Sequence, residues 1–217
     1  MCDEPAQEPR TSKGEPPESD WAAYYKSTIG REPRPLFVKG MTALEAAGVE
    51  PGQAIEIGFG DGRETLALLD AGWHVLAIDP APAAAEVLQS QVPADVAGRL
   101  EIRSVPAEDA DLPPFDLLYA GYALPFLGAD AFDRCWNAVR DRLRPGGLLV
   151  VNFFGPRDSW AGREGMRFVD LDAARRLVDH LEVLALDEED QDGNSFLGPK
   201  HWHVFDVIAR RPPAQTG

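Results

Sequence analysis

A glycine-rich turn between a short apolar run and a helical pattern is the feature that most constrains the fold. Residues 56–62 read Glu-Ile-Gly-Phe-Gly-Asp-Gly; the apolar run begins at Ala54, and the helical pattern continues to Leu69. Glycine allows positive φ and lets the backbone approach a neighbour or a ligand closely. In open α/β sheets, ligands bind beyond the carboxyl ends of strands, where the strand order reverses. The turn therefore predicts an α/β sheet with a ligand site at this position.

Apolar runs and helical patterns alternate along most of the remaining chain. Further strands are predicted at 74–78, 100–105, 115–120 and 148–154, and helices at 36–48, 82–91, 131–143 and 171–181. Asp130 is predicted to cap the helix that ends before Pro145-Gly146-Gly147, because a carboxylate there can accept free backbone N–H groups. Such alternation favours a parallel sheet that is covered by helices on both faces.

The carboxyl-terminal part of the chain breaks this alternation. Two strands are predicted near 182–187 and 202–209, with an acidic loop from Asp187 to Gly198 between them. Strands that are joined by a loop alone must pair antiparallel, since a parallel return needs a longer crossover. The predicted fold is a doubly wound, Rossmann-like sheet of seven mostly parallel strands, with an antiparallel strand from a carboxyl-terminal hairpin.

Composition limits the domain organisation and the partners. The chain has 217 residues, of which 44% are hydrophobic, and this suits one domain with one sizeable core. Residues 1–20 are rich in proline and acidic residues, so we expect a disordered tail, followed by the domain at 21–212 and a tail at 213–217. A net charge of −15 disfavours nucleic acid and anionic membranes as partners.

Cysteine usage and hydropathy indicate the compartment. Cys2 and Cys135 lie in very different contexts, and a disulfide framework is therefore not expected. The sequence has no apolar stretch of about 18 residues and no apolar signal core at its amino terminus. We expect a cytoplasmic protein that is a monomer or a weak homodimer.

The glycine turn leaves several ligand classes open. A dinucleotide site needs a third glycine at the position of Arg63, and a nucleotide P-loop needs Gly-Lys-Ser or Gly-Lys-Thr, which is absent. An ordinary strand-to-helix turn remains an alternative. Asp79 ends the next strand about 20 residues on, where a carboxylate can accept both hydroxyls of a ribose. No basic cluster accompanies the turn to hold a pyrophosphate, which favours an adenosine ligand without phosphates.

Three segments together resemble the class I S-adenosylmethionine-dependent methyltransferases. EIGFGDG is similar to the first motif of that family, VLAIDP to the second, and LRPGGLLVV to the stretch that enters the fifth strand. The resemblance extends from about Trp21 to the end of the chain. Within the class, FFGPRDSW and the late His-Trp-His resemble small bacterial enzymes of the tellurite-resistance and thiopurine methyltransferase type.

The resemblance implies roles for the residues around the glycine turn. Backbone groups of Gly58, Phe59, Gly60 and Gly62 are expected to line the methionine part of S-adenosylmethionine, and Glu56 is expected to reach its amino group.

It also implies roles on the neighbouring strands. Asp79 is expected to bind the ribose, with Pro80 beside the adenine. Glu108 is expected to accept a hydrogen bond from the adenine amino group, and Ala107 to supply a backbone contact. Ala120, at the end of the fourth strand, is expected near the reactive sulfonium.

The acceptor side is predicted from three segments. Trp21, Tyr24 and Tyr25 could form a lid over the cofactor or could simply pack on the core. Tyr122 follows the fourth strand, where the family often contacts its substrate. Arg157, with Asp158 and Trp160, follows the fifth strand; Arg157 could bind an anionic acceptor or could form a surface ion pair with an aspartate.

No catalytic residue is assigned from the sequence, because methyl transfer depends mainly on positioning. The candidates for a proton acceptor are Tyr122, His201 and Tyr25. His201 and His203 share one face of the last strand, and two histidines alone make a poor metal site, so we expect no metal.

The predicted function is methyl transfer from S-adenosylmethionine to a small molecule that the sequence does not identify. Two alternatives remain at this point. One is a non-catalytic module that binds an adenosine cofactor, and the other is an NAD-dependent oxidoreductase.

Overall fold

The structure is a computed structural model, and it describes residues 18–214. Its strands are β1 (Gln53–Ile57), β2 (His74–Ile78), β3 (Leu100–Arg103), β4 (Phe115–Ala120), β5 (Leu143–Phe154), β6 (Glu182–Ser195) and β7 (Gly198–Arg210). Its α-helices are α1 (Glu18–Thr28), α2 (Pro35–Ala46), α3 (Arg63–Asp70), α4 (Pro82–Gln89), α5 (Ala129–Arg142) and α6 (Leu171–Leu177). No helix within the described residues is both long and apolar enough to cross a membrane.

All seven described strands form one sheet in the order β3-β2-β1-β4-β5-β7-β6. The pairs from β3 through β5 are parallel, whereas β7 runs antiparallel to both β5 and β6. The predicted fold class is therefore confirmed, including the antiparallel strand near the carboxyl terminus. The order reverses between β1 and β4, so the carboxyl ends of these two strands flank the crevice where such sheets bind ligands.

Burial on both faces of the central strands explains why the sheet has two hydrophobic cores. Ile55 and Leu118 pack with α5 and α6 on one face, while Ala54 and Leu117 pack with α2, α3 and α4 on the other. Side chains alternate between the faces of a strand, so a strand that is covered on both sides reads as a continuous apolar run.

The predicted acidic loop at 187–198 is wrong. Those residues belong to β6 and β7, which form one long hairpin with a two-residue connection at Phe196 and Leu197. Acidic residues have a low intrinsic preference for strands. In the structure, the backbone pairing of β6 with β7 and basic partners such as Arg157 and His201 support the acidic strand. Charged side chains on an edge strand also discourage pairing with another molecule.

Two local predictions about α5 also need correction. The helix begins after Gly128, and Asp130 lies inside the first turn and makes no side-chain cap. The helix ends at Arg142, and Pro145-Gly146-Gly147 lies within β5 rather than in a separate turn. Of the predicted disordered tail at 1–20, residues 1–17 lie outside the described residues, and the last three begin α1.

Candidate cofactor and acceptor site

The glycine turn after β1 is a close-packed backbone loop. Gly58, Gly60 and Gly62 all have positive φ, at 73°, 53° and 78°. A Cβ atom at these positions would lie 2.4, 3.2 and 2.5 Å from the nearest side-chain atoms of Ala123, Tyr25 and Leu88, respectively. Positive φ and this close approach together explain why glycine is needed at each position.

Asp79 ties the end of β2 to this loop. Its carboxylate accepts hydrogen bonds from the backbone N–H groups of Gly60 and Ala81, both at 3.0 Å, and the residue is 4% exposed. Burial raises the pKa of Asp79, and the two backbone hydrogen bonds oppose the shift. Each oxygen keeps a further lone pair. The carboxylate is thus fixed at the loop and can still accept hydroxyl hydrogens, which fits the predicted ribose site. Pro80 follows it on the surface.

Glu56 is a buried carboxyl at the end of β1. It is 1% exposed, and the Thr65 hydroxyl donates to its Oε2 atom. Burial, followed by the nearby Glu64, raises the pKa of Glu56 well above its ordinary value. A bound ammonium group would favour the charged carboxylate again. This environment suits the predicted contact with the methionine amino group.

Arg31 holds two more buried carboxylates beside the loop. Its guanidinium donates to Asp61 at 2.8 and 2.9 Å and to Glu64 at 2.7 and 2.5 Å. The backbone N–H of Arg34 donates to Glu64 at 2.9 Å. These bonds join the segment between α1 and α2 to the start of α3. The sequence does not predict these contacts of Arg31, because its carboxylate partners lie about 30 residues away and belong to no recognisable motif.

The adenine end of the predicted site is a short 3-10 turn, Ala107–Asp109. Ala107 is buried, and the Glu108 Oε2 atom is buried with no hydrogen-bond partner among the described residues. The other oxygen of Glu108 lies 3.8 Å from Arg134. A buried acceptor without a partner is costly, so Glu108 fits the prediction that it receives an amino group.

Tyr122 occupies a strained position after β4. Its φ is 58°, which is unusual outside glycine, and its N–H donates to Asn152 at 2.8 Å. Ala120, two residues earlier, is fully buried and pairs with Val151 of β5. Burial raises the pKa of Tyr122 to about 12, with Asp206 as the next cause. The phenol therefore stays protonated at neutral pH and can donate a hydrogen bond.

Tyr122 belongs to a set of touching aromatic rings that we call the aromatic wall. Its neighbouring rings have centroids 5.3 to 6.2 Å apart. The members come from α1, the turn after β4, the end of β5 and the β6–β7 hairpin: Trp21, Tyr24, Tyr122, Phe126, Phe154, Trp160, Phe196 and Trp202. Four predicted substrate residues, Trp21, Tyr24, Tyr122 and Trp160, thus meet in one place.

The lid and the core-packing interpretations of α1 both find support in the contacts. Tyr25 is 7% exposed and lies over Gly60, and Trp21 stacks on it at 6.0 Å between centroids. The helix also packs against α4. Burial raises the pKa of Tyr25, with Asp79 as the next cause. Tyr25 is therefore protonated at neutral pH and is a poor proton acceptor.

A buried ion pair supports the aromatic wall from behind. The side chains of Lys200 and Asp158 are fully buried and in direct contact. The Lys200 ammonium lies 3.8 Å from the ring centre of Trp202 and 4.4 Å from that of Trp160. Burial lowers the pKa of Lys200, and Asp158 opposes this shift. Cation–π contact and pairing together offset the burial of the charge. No local pattern in the sequence predicts this pair, because its members are 42 residues apart.

Arg157 and His201 are not brought to the glycine loop. Arg157 donates to Asp190 at 2.7 Å and to Glu188 at 2.5 Å, so the ion-pair alternative for this residue is the one observed. His201 is an exposed ring between Asp190 and Asp192, and Asp192 is the main cause that raises its pKa. The next residue, Trp202, belongs to the aromatic wall. Because adjacent residues of a strand face opposite sides of the sheet, the ring of His201 lies on the side away from the aromatic wall.

One group of side chains on the hairpin could hold a metal ion. Atoms of Glu188, Asp190 and His203 lie within 4.8 Å of one another. The backbone N–H of Arg157 donates to His203 Nδ1 at 3.0 Å, which leaves the Nε2 proton to face Glu188 at 3.0 Å. The Arg157 guanidinium already supplies positive charge to both carboxylates, so the contacts are satisfied without a metal.

Comparisons with known proteins agree with the motifs and the fold. Residues 55–149 match a family model described as a methyltransferase domain. No curated protein sequence matches the chain.

Solved structures extend the comparison to nearly the whole chain. TehB from Haemophilus influenzae has a TM-score of 0.67 at 12% identity, over 88% of this chain and 67% of that one. The 1,6-didemethyltoxoflavin-N1-methyltransferase of Burkholderia thailandensis has a TM-score of 0.61 at 20% identity, over 90% and 87%. The N-methyltransferase NodS from Bradyrhizobium japonicum has a TM-score of 0.63 at 16% identity, over 89% and 99%.

The last two of these structures contain S-adenosylhomocysteine, the demethylated form of the expected cofactor. Residues 55–149 thus match a methyltransferase-domain model, and the chain shares the fold of these methyltransferase structures.

Proposed function

We propose that the chain transfers a methyl group from S-adenosylmethionine to a small-molecule acceptor bound at the aromatic wall. The observation that carries this proposal is the coupling of the glycine loop to Asp79 through the Gly60 N–H. Glu56 adds a buried carboxyl at one end of the crevice. Glu108 adds, at the other end, an acceptor oxygen without a hydrogen-bond partner among the described residues. These three groups suit the amino, ribose and adenine parts of one ligand.

The electrostatics beside the loop disfavour a dinucleotide. Asp61 and Glu64 are 4% and 2% exposed and lie at the amino-terminal end of α3, where a pyrophosphate would bind. Arg31 is engaged by these two carboxylates. A pyrophosphate would therefore meet two carboxylates with no free positive charge from that arginine.

When bound, the sulfonium cofactor supplies an electrophilic methyl carbon. The protein has to hold the nucleophile about 3–3.5 Å from that carbon and in line with the bond that breaks. Tyr122 and Tyr25 are protonated phenols, and His201 lies on the side of β7 that faces away from the aromatic wall. The site thus favours acceptors that need little activation, such as a thiolate or a metalloid oxyanion, over alcohols that need a strong base.

The test is to incubate the full chain with S-adenosylmethionine and panels of thiols, metalloid oxyanions, amines and phenols, and to measure S-adenosylhomocysteine release. We expect release with at least one panel and a large loss in Asp79→Asn. Asp111→Asn changes a carboxylate that is 94% exposed and has no predicted ligand role, and it is the matched control. Tight cofactor binding with no release from any panel would favour the non-catalytic module instead.

A further inference from the structure

Arg34 is a half-buried cation without an acidic partner. Its Nη2 atom lies 3.1 Å from the Tyr24 hydroxyl, and its Cζ atom lies 5.0 Å from the ring centre of Tyr122. No carboxylate among the described side chains, which are those of Trp21 and residues 24–214, pairs with its guanidinium. The chain has 36 acidic and 21 basic residues, so the absence of a partner does not reflect a shortage of carboxylates.

Arg31, three residues earlier, shows what a satisfied arginine looks like in this protein. Arg31 uses its guanidinium to bind two buried carboxylates at 2.5 to 2.9 Å. Among the described side chains, the guanidinium of Arg34 contacts only the phenol oxygen of Tyr24 and the ring of Tyr122. Holding a guanidinium away from water with no counter-charge costs free energy, and an anionic ligand would recover it.

The contacts of Arg34 place its guanidinium on the acceptor side of the crevice. Arg31 contacts the glycine loop through Asp61, whereas the guanidinium of Arg34 contacts Tyr24 and Tyr122. The ring of Tyr24 touches Phe196 at the hairpin tip, and that of Tyr122 touches Trp202. Arg34 is therefore continuous with the aromatic wall and separate from the groups that suit the cofactor.

We propose that Arg34 binds an anionic group of the methyl acceptor and that this acceptor is a small planar carboxylic acid, which carries its nucleophile, such as a thiolate, apart from the carboxylate. The proposal rests on the proposed function, because it assigns the acceptor class of the same site. A guanidinium presents parallel N–H groups to a carboxylate, and the Cζ atom of Arg34 already lies over the ring of Tyr122. The aromatic wall offers ring faces and edges to the planar body of the same molecule.

The test uses benzoate and benzyl alcohol as matched probes, titrated into the full chain saturated with S-adenosylhomocysteine. Tryptophan fluorescence reports binding, since Trp21, Trp160 and Trp202 lie in the aromatic wall. We expect benzoate to bind about 10- to 100-fold more tightly than benzyl alcohol, as a charge-assisted hydrogen bond predicts. Arg34→Gln is expected to remove this preference, and Arg157→Gln to leave it intact. Equal binding of both probes to the wild type, or a preference that survives in Arg34→Gln, would overturn the proposal.

A second titration separates the acceptor from the cofactor as the source of the anion. We expect Arg34→Gln to change the affinity for S-adenosylhomocysteine by less than about threefold, which is well below one charge-assisted hydrogen bond. A loss of tenfold or more would assign Arg34 to the carboxylate of the cofactor and overturn the proposal. If the wild type binds no S-adenosylhomocysteine, the proposed function fails. The benzoate comparison, repeated on the protein alone, then still decides whether Arg34 is an anion site.

Discussion

The two halves of the crevice are built in different ways. On the proposed cofactor side, backbone groups of the glycine loop and one carboxylate on the next strand form the proposed amino-acid and ribose positions within residues 56–79. On the acceptor side, the aromatic wall joins side chains from Trp21 to Trp202, and a buried Lys200–Asp158 pair stands behind it. The first half depends on backbone geometry and the second on long-range packing.

This difference matters for how each half can fail. A change in the cofactor half acts locally, because its parts are consecutive in the chain and are held by the end of the sheet. A change in the acceptor half removes support that several distant segments share, so it should affect stability as well as activity.

Asp158→Ala should have the largest effect on stability. It leaves the Lys200 ammonium buried without its partner, which typically costs about 3–5 kcal/mol of unfolding free energy. Urea denaturation measures the loss. Asp111→Ala is the matched control, since Asp111 is 94% exposed and 3.9 Å from Arg142. The double variant Asp158→Leu/Lys200→Met should recover most of the loss, because apolar residues can replace a buried ion pair. If Asp158→Ala were as stable as Asp111→Ala, the ion pair between Lys200 and Asp158 would not be formed in solution.

Gly58→Ala should come next. The new Cβ would lie 2.4 Å from Ala123 at a φ of 73°, and strain with overpacking should cost about 2–4 kcal/mol. Gly146→Ala is the control for positive φ alone, since Gly146 has a φ of 85° and nothing within 4 Å. Titration calorimetry should show that only Gly58→Ala weakens the binding of S-adenosylhomocysteine. Equal losses of stability in the two variants would mean that the loop is not closely packed.

Asp206 gives the acceptor half a dependence on pH. Burial raises its pKa from 3.8 to about 6, and the neighbouring Asn152 opposes the shift. Between pH values of about 4 and about 6, the folded state therefore binds more protons than the unfolded state does. The unfolding free energy falls as the pH rises through this range. Asp206→Asn should remove this fall and be more stable than the wild type at pH 7, by about 2–3 kcal/mol. A difference between the two proteins that stays constant from pH 4 to 7 would contradict the assignment.

Arg157→Gln should have the smallest effect. Its ion pairs with Glu188 and Asp190 are at the surface, where the gain is largely lost to solvent screening and to side-chain entropy. We expect a melting temperature close to that of the wild type and an unchanged affinity for S-adenosylhomocysteine. A marked loss of cofactor affinity would show that the hairpin network reaches the cofactor half.

The same contrast explains how much could be predicted from the sequence. The glycine spacing, Asp79 and the strand alternation are local patterns; they predicted the sheet and its antiparallel strand, while the cofactor site at the glycine loop stays a prediction. Arg31, Arg34 and Lys200 gave no signal, because their partners lie tens of residues away. The acidic hairpin was misread as a loop, since residue preference alone cannot show that β7 supplies a partner strand.

The most direct test of the central claim is calorimetric titration of the full chain with S-adenosylhomocysteine and with NAD. The account predicts that S-adenosylhomocysteine binds more tightly than NAD. We also expect Asp79→Asn to weaken this binding about 10- to 100-fold, as the loss of charge-assisted hydrogen bonds requires, while the exposed-site variant Asp111→Asn should not. Tighter binding of NAD, or an affinity for S-adenosylhomocysteine that Asp79→Asn leaves unchanged, would contradict the account.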